Sequence, residues 1–180
     1  MLAADHELNL VAFVGRALVS ADAPASAALL GAMCTLGARF NGGATAQVEV
    51  LWDALAAEPD LSAAVAARLA RGESLAGFNH LAYPRGDPRA ARLLALAEAF
   101  APAPKLVPVV QRLAGWAPSI DFALVALRRA LGAPQGAALA LQMAGRCVGV
   151  LAHVLEQQRS GQRIIVRARY VGPLPEGDRD

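Results

Sequence analysis

Apolar residues recur every three or four positions along almost the whole chain, which is the spacing of one face of an α-helix. No segment shows the sustained alternation of apolar and polar residues that is typical of a half-buried strand. Of the 180 residues, 56% are hydrophobic and 18% are charged, which is enough apolar material for a buried core. The sequence therefore predicts an all-α, multi-helical globular protein.

Turn and capping residues divide this pattern into eight predicted helices. The first is expected from about His6, with Asp5 as its N-cap. Residues 73–87 lack periodicity and are rich in Gly, Pro, Asn and Tyr, so a long ordered loop is predicted there, of a kind that is often functional. Residues 162–180 are expected to be extended. The other helices are predicted at about 26–36, after the Asn41-Gly42-Gly43 turn, from Glu58-Pro59-Asp60 to Gly72, and at about 88–100, 105–116, 120–131 and 135–159.

Charge and cysteine usage exclude some classes of protein. The net charge is +2 and the arginines are scattered, so no nucleic-acid partner is expected. Cys34 and Cys147 lie in apolar, helix-like stretches without metal-ligand spacing, which predicts buried free thiols, no metal site and a reducing, cytoplasmic location.

Neither a secretion signal nor a membrane segment is predicted. Asp5, His6 and Glu7 interrupt the start of the chain, which also lacks a basic region. Residues 136–155 have the length of a membrane span, but Arg146 lies at their centre. We therefore expect a buried helix of a soluble protein and no membrane partner.

One irregular loop combines a histidine with an arginine. Gly77-Phe78-Asn79-His80 is followed by Gly86-Asp87-Pro88-Arg89, and Asp87-Pro88 is a typical N-cap and first residue of a helix. Arg89 and free backbone N–H groups would then meet at the positive end of a helix, which suits a carboxylate ligand. Two alternatives remain open: His80 holds the loop by hydrogen bonding, and Arg89 pairs with Asp87 or Glu98.

Four further segments carry polar or charged residues against an apolar background. His6 is a candidate near the start of the chain, although a histidine there is more often solvated. Asp121, in the first turn of a helix, is a candidate base, or it complements the helix dipole. Arg146 needs an anionic partner when buried, either a substrate or an internal salt bridge. Arg163, Arg167 and Arg169 are most simply a solvated charged edge.

In order and spacing, these segments resemble the C-terminal half of citrate synthase. The resemblance extends from residue 5 to about residue 173. It rests on Asp5-His6-Glu7-Leu8-Asn9, on residues 77–90, on Ser119-Ile120-Asp121-Phe122, on residues 145–153, and on the run from Arg167 to Pro173. The resemblance implies a citrate synthase-like fold and an acyltransferase that condenses acetyl-CoA with oxaloacetate to give citrate and CoA, with acetyl-CoA as a substrate and no cofactor.

The resemblance also implies a role for each candidate residue. Asp121 would abstract a proton from the acetyl methyl group while His6 hydrogen-bonds the thioester oxygen. We expect a helix N-terminus to keep His6 neutral. His80 would polarise the ketone of oxaloacetate and protonate the new hydroxyl group. Three arginines, Arg89, Arg146 and Arg167, would bind carboxylates, the last in the site of a neighbouring subunit, which implies a homodimer.

Several positions depart from the family pattern, Asn41 and Asn79 among them, and so does the length. Asn41 and Asn79 stand where the family has histidine and glycine. Family members are about twice as long, so residues 1–133 would form the small domain and residues 134–180 the C-terminal helix and tail of an incomplete large domain. A contiguous apolar surface is then expected around the Arg146 helix, for a second copy or a large-domain polypeptide. The alternatives are a non-catalytic remnant or interaction subunit, and 2-methylcitrate synthase activity with propionyl-CoA.

Overall fold

A computed structural model describes residues 1–4, 6–97, 105–169 and 171–172 of the protein, and all its regular structure there is helical. The predicted all-α class is confirmed. Within these ranges the eight helices are α1 (Leu10–Ser20), α2 (Ala25–Leu36), α3 (Ala44–Ala56), α4 (Leu61–Ala70), α5 (Pro88–Ala97), α6 (Leu106–Ala114), α7 (Ile120–Ala130) and α8 (Ala137–Ser160).

The first helix begins later than predicted. It starts at Leu10 because Asn9 is its N-cap, with Oδ1 accepting a hydrogen bond from the Ala12 N–H at 3.0 Å. His6 therefore lies in the irregular segment that precedes α1, and not in the first turn of a helix. The predicted cap, Asp5, is outside the described residues.

The helices form two hydrophobic cores. One lies among α3, α4, α6 and α7 and is centred on Phe122 and Val48. The other lies among α1, α2 and α8, where Ala28, Ala32 and Val150 have no exposed surface. The predicted domain boundary after residue 133 stays a prediction.

The loop between α4 and α5 is held against the segment that leads into α7. Phe78 and Pro118 form an isolated antiparallel bridge. On either side of it, the Ser119 N–H donates to the Gly77 carbonyl at 2.7 Å and the Asn79 N–H donates to the Ala117 carbonyl at 3.1 Å. These bonds fix the backbone of the loop relative to α7.

Only one face of α8 is buried, so the expectation of a buried helix is wrong for its other face. Gln142, Arg146, Val150 and Val154 are on the buried side. By length and composition alone α8 could cross a membrane, a test that core helices of soluble proteins also pass. The expected apolar surface is present as a stripe with seven-, three- and four-residue spacing: Leu141, Val148, Leu151 and Leu155, which are 46%, 66%, 37% and 47% exposed.

Both cysteines are free thiols, as predicted, but they are not both buried. Cys34 is exposed on α2, so its predicted burial is wrong. Cys147 is partly buried on α8, where its Sγ lies 3.6 Å from Met33 Sδ. The apolar stretches that contain them are amphipathic helices, and Cys34 is on the solvent side.

Candidate active site

A cavity of about 310 Å³ lies where the two cores meet. Val11 and Leu36 of the α1–α2–α8 core and Ile120 of the other core form its apolar walls. Its polar lining includes five of the six predicted site residues: His6, His80, Arg89, Asp121 and Arg146. The sixth, Arg167, is exposed in the segment after α8 and does not line the cavity.

The two imidazoles meet edge to face beside a tyrosine. The ring centroids of His6 and His80 are 5.5 Å apart. Tyr83 stacks on His6 at 5.6 Å and is tilted against His80 at 5.2 Å. Segments that are 74 residues apart in sequence, 80 minus 6, therefore place two histidines in one cluster.

The hydrogen bond to His80 determines which ring nitrogen can donate. Nδ1 accepts a hydrogen bond from the Ala82 N–H at 3.1 Å, so the neutral ring carries its proton on Nε2. Burial, and then the charge of Arg89, lower the pKa of His80. His80 is thus held to its loop through one nitrogen and is a neutral donor at the other.

His6 is also kept neutral, although not for the predicted reason. Burial contributes most to the lowering of its pKa, followed by the charges of Arg89, His80 and Arg146. The expected cause, the N-terminus of a helix, is wrong as stated because α1 begins four residues later, at Leu10. A neutral imidazole can donate a hydrogen bond to a developing oxyanion.

Arg89 forms a two-pronged ion pair with Asp87. Its Nε and Nη2 donate to the two carboxylate oxygens at 2.9 Å each, and the Arg89 backbone N–H donates to Oδ1 at 3.0 Å. Asp87 Oδ2 also accepts from the Ile120 N–H at 2.9 Å, which ties the start of α5 to the start of α7. Burial raises the pKa of Asp87, but the bonds and charge of Arg89 outweigh it and the pKa is lowered overall.

The ion pair with Asp87 leaves Arg89 N–H donors that can bind a ligand in the cavity. Two of the five N–H donors of a guanidinium are used by Asp87. The Arg89 guanidinium carbon lies 4.9 Å from the centroid of the Tyr83 ring, and Arg89 lines the cavity. The predicted alternative of pairing with Asp87 is observed; the other alternative, Glu98, is outside the described residues.

Asp121 is a carboxyl group with an unusual pKa in the first turn of α7. Burial is the largest effect and raises its pKa to about 6, against the lowering effects of the Gln142 amide, the Arg89 charge and Ser119. Its Oδ1 is buried without a hydrogen-bond partner within the described part of the chain, and Ser119 Oγ lies 3.4 Å from Oδ2. Such a group can act as a general base near neutral pH.

Arg146 is 4% exposed at the middle of α8. Its Nε donates to the Ala3 carbonyl at 2.8 Å, and the residue lines the cavity. Buried guanidinium groups keep their charge, so Arg146 adds a fixed positive charge to the cavity.

Sequence reasoning missed Tyr83 and Gln142 as site residues. Tyr83 follows His80 by three residues in the same loop, and this spacing is the signal that could have found it. Gln142 precedes Arg146 by four residues, so both lie on one face of α8. No group of three or more His, Cys, Asp or Glu that could hold a metal ion occurs in the described ranges.

The chain is similar in sequence to one protein family and to several curated proteins. The family model described as "Citrate synthase, C-terminal domain" matches residues 1–169. "Putative citrate synthase 2" of Mycobacterium tuberculosis (strain ATCC 25618 / H37Rv) is 34% identical over 193 residues, a match that covers 96% of this chain and 50% of the relative. The chain thus spans about half the length of the curated relatives that it matches.

The fold is similar to that of solved structures. Citrate synthase from Thermotoga maritima superimposes with a TM-score of 0.82 at 25% identity, covering 99% of this chain and 54% of that one. A ternary complex of carboxymethyl coenzyme A and oxaloacetate with citrate synthase from Thermoplasma acidophilum gives a TM-score of 0.80 at 26% identity, covering 96% and 50%. These matches confirm the predicted citrate synthase-like fold.

Proposed function

This chain belongs to the citrate synthase family, and we propose that it carries the condensing residues of an enzyme that joins acetyl-CoA to oxaloacetate. The observation that carries the proposal is the convergence of His6, His80 and Asp121 on one cavity, with Arg89 and Arg146 beside them. Two imidazoles, one carboxyl group and two guanidinium groups are the chemistry that a thioester and a dicarboxylic keto acid require.

The first step is the removal of a proton from the acetyl methyl group. Asp121 takes this proton, since its raised pKa, about 6, makes its carboxylate a stronger base than an exposed one. Negative charge then develops on the thioester oxygen, which accepts a hydrogen bond from neutral His6. The product of this step is an enol or enolate of acetyl-CoA.

The second step forms the carbon–carbon bond. The methyl carbon attacks the ketone carbon of oxaloacetate, and the ketone oxygen receives a proton from Nε2 of His80. His80 then regains a proton from solvent and Asp121 releases the methyl proton to solvent, which restores both groups. Arg89 and Arg146 bind the two carboxylates, because a planar guanidinium group can donate two parallel bonds to a carboxylate. Water then cleaves the citryl thioester, which releases citrate and CoA. We assign Arg167 to a neighbouring site in a cytoplasmic homodimer.

The α8 stripe of Leu141, Val148, Leu151 and Leu155 is the proposed contact for a large-domain polypeptide. Relatives of this chain have about twice its length, and the stripe lies on the opposite side of α8 from the buried Arg146. Exposed apolar faces of this kind mark protein contacts. The same half-length match favours a second candidate function, a non-catalytic subunit that binds acyl-CoA without turning it over.

A thiol-release assay tests the proposal. Acetyl-CoA and oxaloacetate are added to the purified chain, alone and with a large-domain polypeptide encoded by an adjacent reading frame. A blank without oxaloacetate corrects for exposed Cys34, which also reacts with thiol reagents. We expect CoA release that needs both substrates. No release of CoA in either case would reject the catalytic function. The same assay with propionyl-CoA in place of acetyl-CoA distinguishes 2-methylcitrate synthase activity from citrate synthase activity.

A further inference from the structure

Tyr83 is an aromatic residue behind the cavity to which the proposed reaction gives no role. Its ring centroid lies 5.6 Å from that of His6, 5.2 Å from that of His80 and 4.9 Å from the guanidinium carbon of Arg89. These three neighbours line the cavity, and Tyr83 is outside its described lining. One ring thus supports three polar groups of the site from the side that faces away from a ligand.

His6 depends on ring contacts for its orientation. It lies in an irregular segment, and its side chain makes no hydrogen bond among the described residues, whereas His80 is anchored by the Ala82 N–H at 3.1 Å. Tyr83 stacks on His6 with only 19° between the ring planes, and His80 meets His6 at 66°. Aromatic pairs attract each other at centroid distances of about 4.5–7 Å, so the plane of His6 follows that of Tyr83.

The Tyr83 ring is itself held by a fixed cation. The Arg89 guanidinium lies over this ring, well within the distance of about 6 Å at which a cation and an aromatic face attract. Arg89 cannot turn freely, because its Nε and Nη2 both donate to the buried carboxylate of Asp87 at 2.9 Å. The ion pair at the start of α5 therefore fixes the ring on which His6 stacks.

The backbone of Tyr83 is fixed as well. Its N–H donates to the His80 carbonyl at 2.9 Å, and its carbonyl accepts from the Gly86 N–H at 2.9 Å. These two turns lie between the bridge to the α7 segment and the first residue of α5. The ring is thus a rigid support for a histidine that comes from a distant part of the sequence.

We propose that Tyr83 is a positioning residue whose ring holds the imidazole of His6 in the orientation that the proposed reaction requires. Orientation matters because a hydrogen bond weakens steeply as the donor, hydrogen and acceptor depart from a line. The proposal rests on the proposed role of His6 as the donor to the thioester oxygen. Tyr83 does not contact the reacting atoms, and it acts through its ring and not through its hydroxyl group.

The test measures the motion of the His6 ring in the purified chain without substrates. Carbon-13 relaxation of histidine-labelled protein follows the three histidine rings, and His6→Gln assigns the signal of His6. We expect the order parameter of this ring to be that of a rigid group, about 0.85. Tyr83→Leu should lower it below about 0.6, the range of flexible groups, and Tyr83→Phe should leave it unchanged because the ring is kept.

The matched control is Phe78→Leu, which removes an aromatic ring from the same loop. Phe78 packs on Phe122 in the core at a centroid distance of 4.8 Å, so its loss should leave the His6 order parameter in place. Should Tyr83→Leu fail to fold, Tyr83→Met carries the test, because methionine fills an irregular space without an aromatic face.

Four results would overturn the proposal. They are a mobile His6 ring in the natural chain, an unchanged order parameter in the folded Leu or Met variant of Tyr83, a loss in Tyr83→Phe, and an equal loss in Phe78→Leu. The relaxation measurement needs no turnover, so its failure and the failure of the thiol-release assay are distinguishable.

Discussion

At the scale of single residues, Asp121 combines a useful chemistry with a cost in stability. Its pKa is raised to about 6 by burial, so the folded protein favours the protonated carboxyl group more than the unfolded chain does. The stabilisation of the fold by the protonated carboxyl group is fully present below pH ~4 and is lost as the pH rises through about 6. At neutral pH the ionised Asp121 therefore destabilises the fold.

Asp121→Asn should consequently stabilise the protein at pH 7 and not at pH 4. The expected gain in the free energy of unfolding is about 1–3 kcal/mol, from a shift of about two pKa units. Urea denaturation at both pH values measures it. A variant that is less stable than the natural chain at pH 7 would contradict the assigned burial of this carboxylate.

Asn79 occupies a backbone conformation that glycine favours. Its φ is +57°, and its side chain is exposed. The resemblance places glycine here, and asparagine tolerates the left-handed region better than most residues. Asn79→Ala should therefore cost about 1 kcal/mol, and Asn79→Gly should not destabilise the fold. The control is Gly72→Ala, at φ +71° in open space, which should lose a similar amount in thermal unfolding. Equal stability of Asn79→Ala and Asn79→Gly would show that the backbone at residue 79 is not strained.

At the scale of elements, the bridge between Phe78 and Pro118 sets the distance between His80 and Asp121. Gly77, next to the bridge, has φ +84°, and a Cβ atom there would lie 2.8 Å from Val48 Cγ2 and 2.9 Å from Phe122 Cβ. Neither neighbour is free to move, because both belong to the buried core.

Gly77→Ala should therefore destabilise the protein by about 2–4 kcal/mol, through backbone strain and overpacking together. Gly72→Ala isolates the strain, since nothing lies within 4 Å of its Cβ position. Chemical denaturation of the two variants gives the difference between them. Equal losses would show that the close approach at Gly77 has no energetic consequence.

The sequence predicts elements better than it predicts their ends and contacts. Helical periodicity located all eight helices of the described ranges, because amphipathic spacing is a local property. The predicted start of α1 was wrong because the sequence offers both Asp5 and Asn9 as possible N-caps. Only the hydrogen bond that the Asn9 side chain accepts shows which residue caps the helix. Gln142 of α8 and Asp121 of α7 line the same cavity, and no local pattern encodes such a pair.

At the scale of the whole molecule, five of the six predicted site residues meet in one cavity, while the α8 stripe remains exposed. The family motifs explain why these five residues could be predicted, because they identify site residues that lie far apart in the sequence. Arg167 remains a prediction for a site in a neighbouring subunit. The exposed stripe predicts that the chain binds a large-domain polypeptide, and this binding can be tested separately from activity.

Val148→Glu should weaken binding of a large-domain polypeptide without unfolding the chain. Val148 is 66% exposed on α8, so a charge there meets water in the free chain and an apolar surface in the complex. Size-exclusion chromatography of the mixture measures the association. The matched control is Val50→Glu, at a 68% exposed position on α3 outside the stripe. Undiminished association of Val148→Glu would remove the stripe from the interface.

The proposed reaction depends most on Asp121 as the base in a shared cavity with His6 and His80. The measurement that tests this most directly is CoA release by Asp121→Asn, compared with the natural chain at pH 8 in the presence of the large-domain polypeptide. We predict that a folded variant loses about 10²-fold to 10⁴-fold in turnover, the contribution of a positioned base. Unchanged turnover in that variant would contradict it.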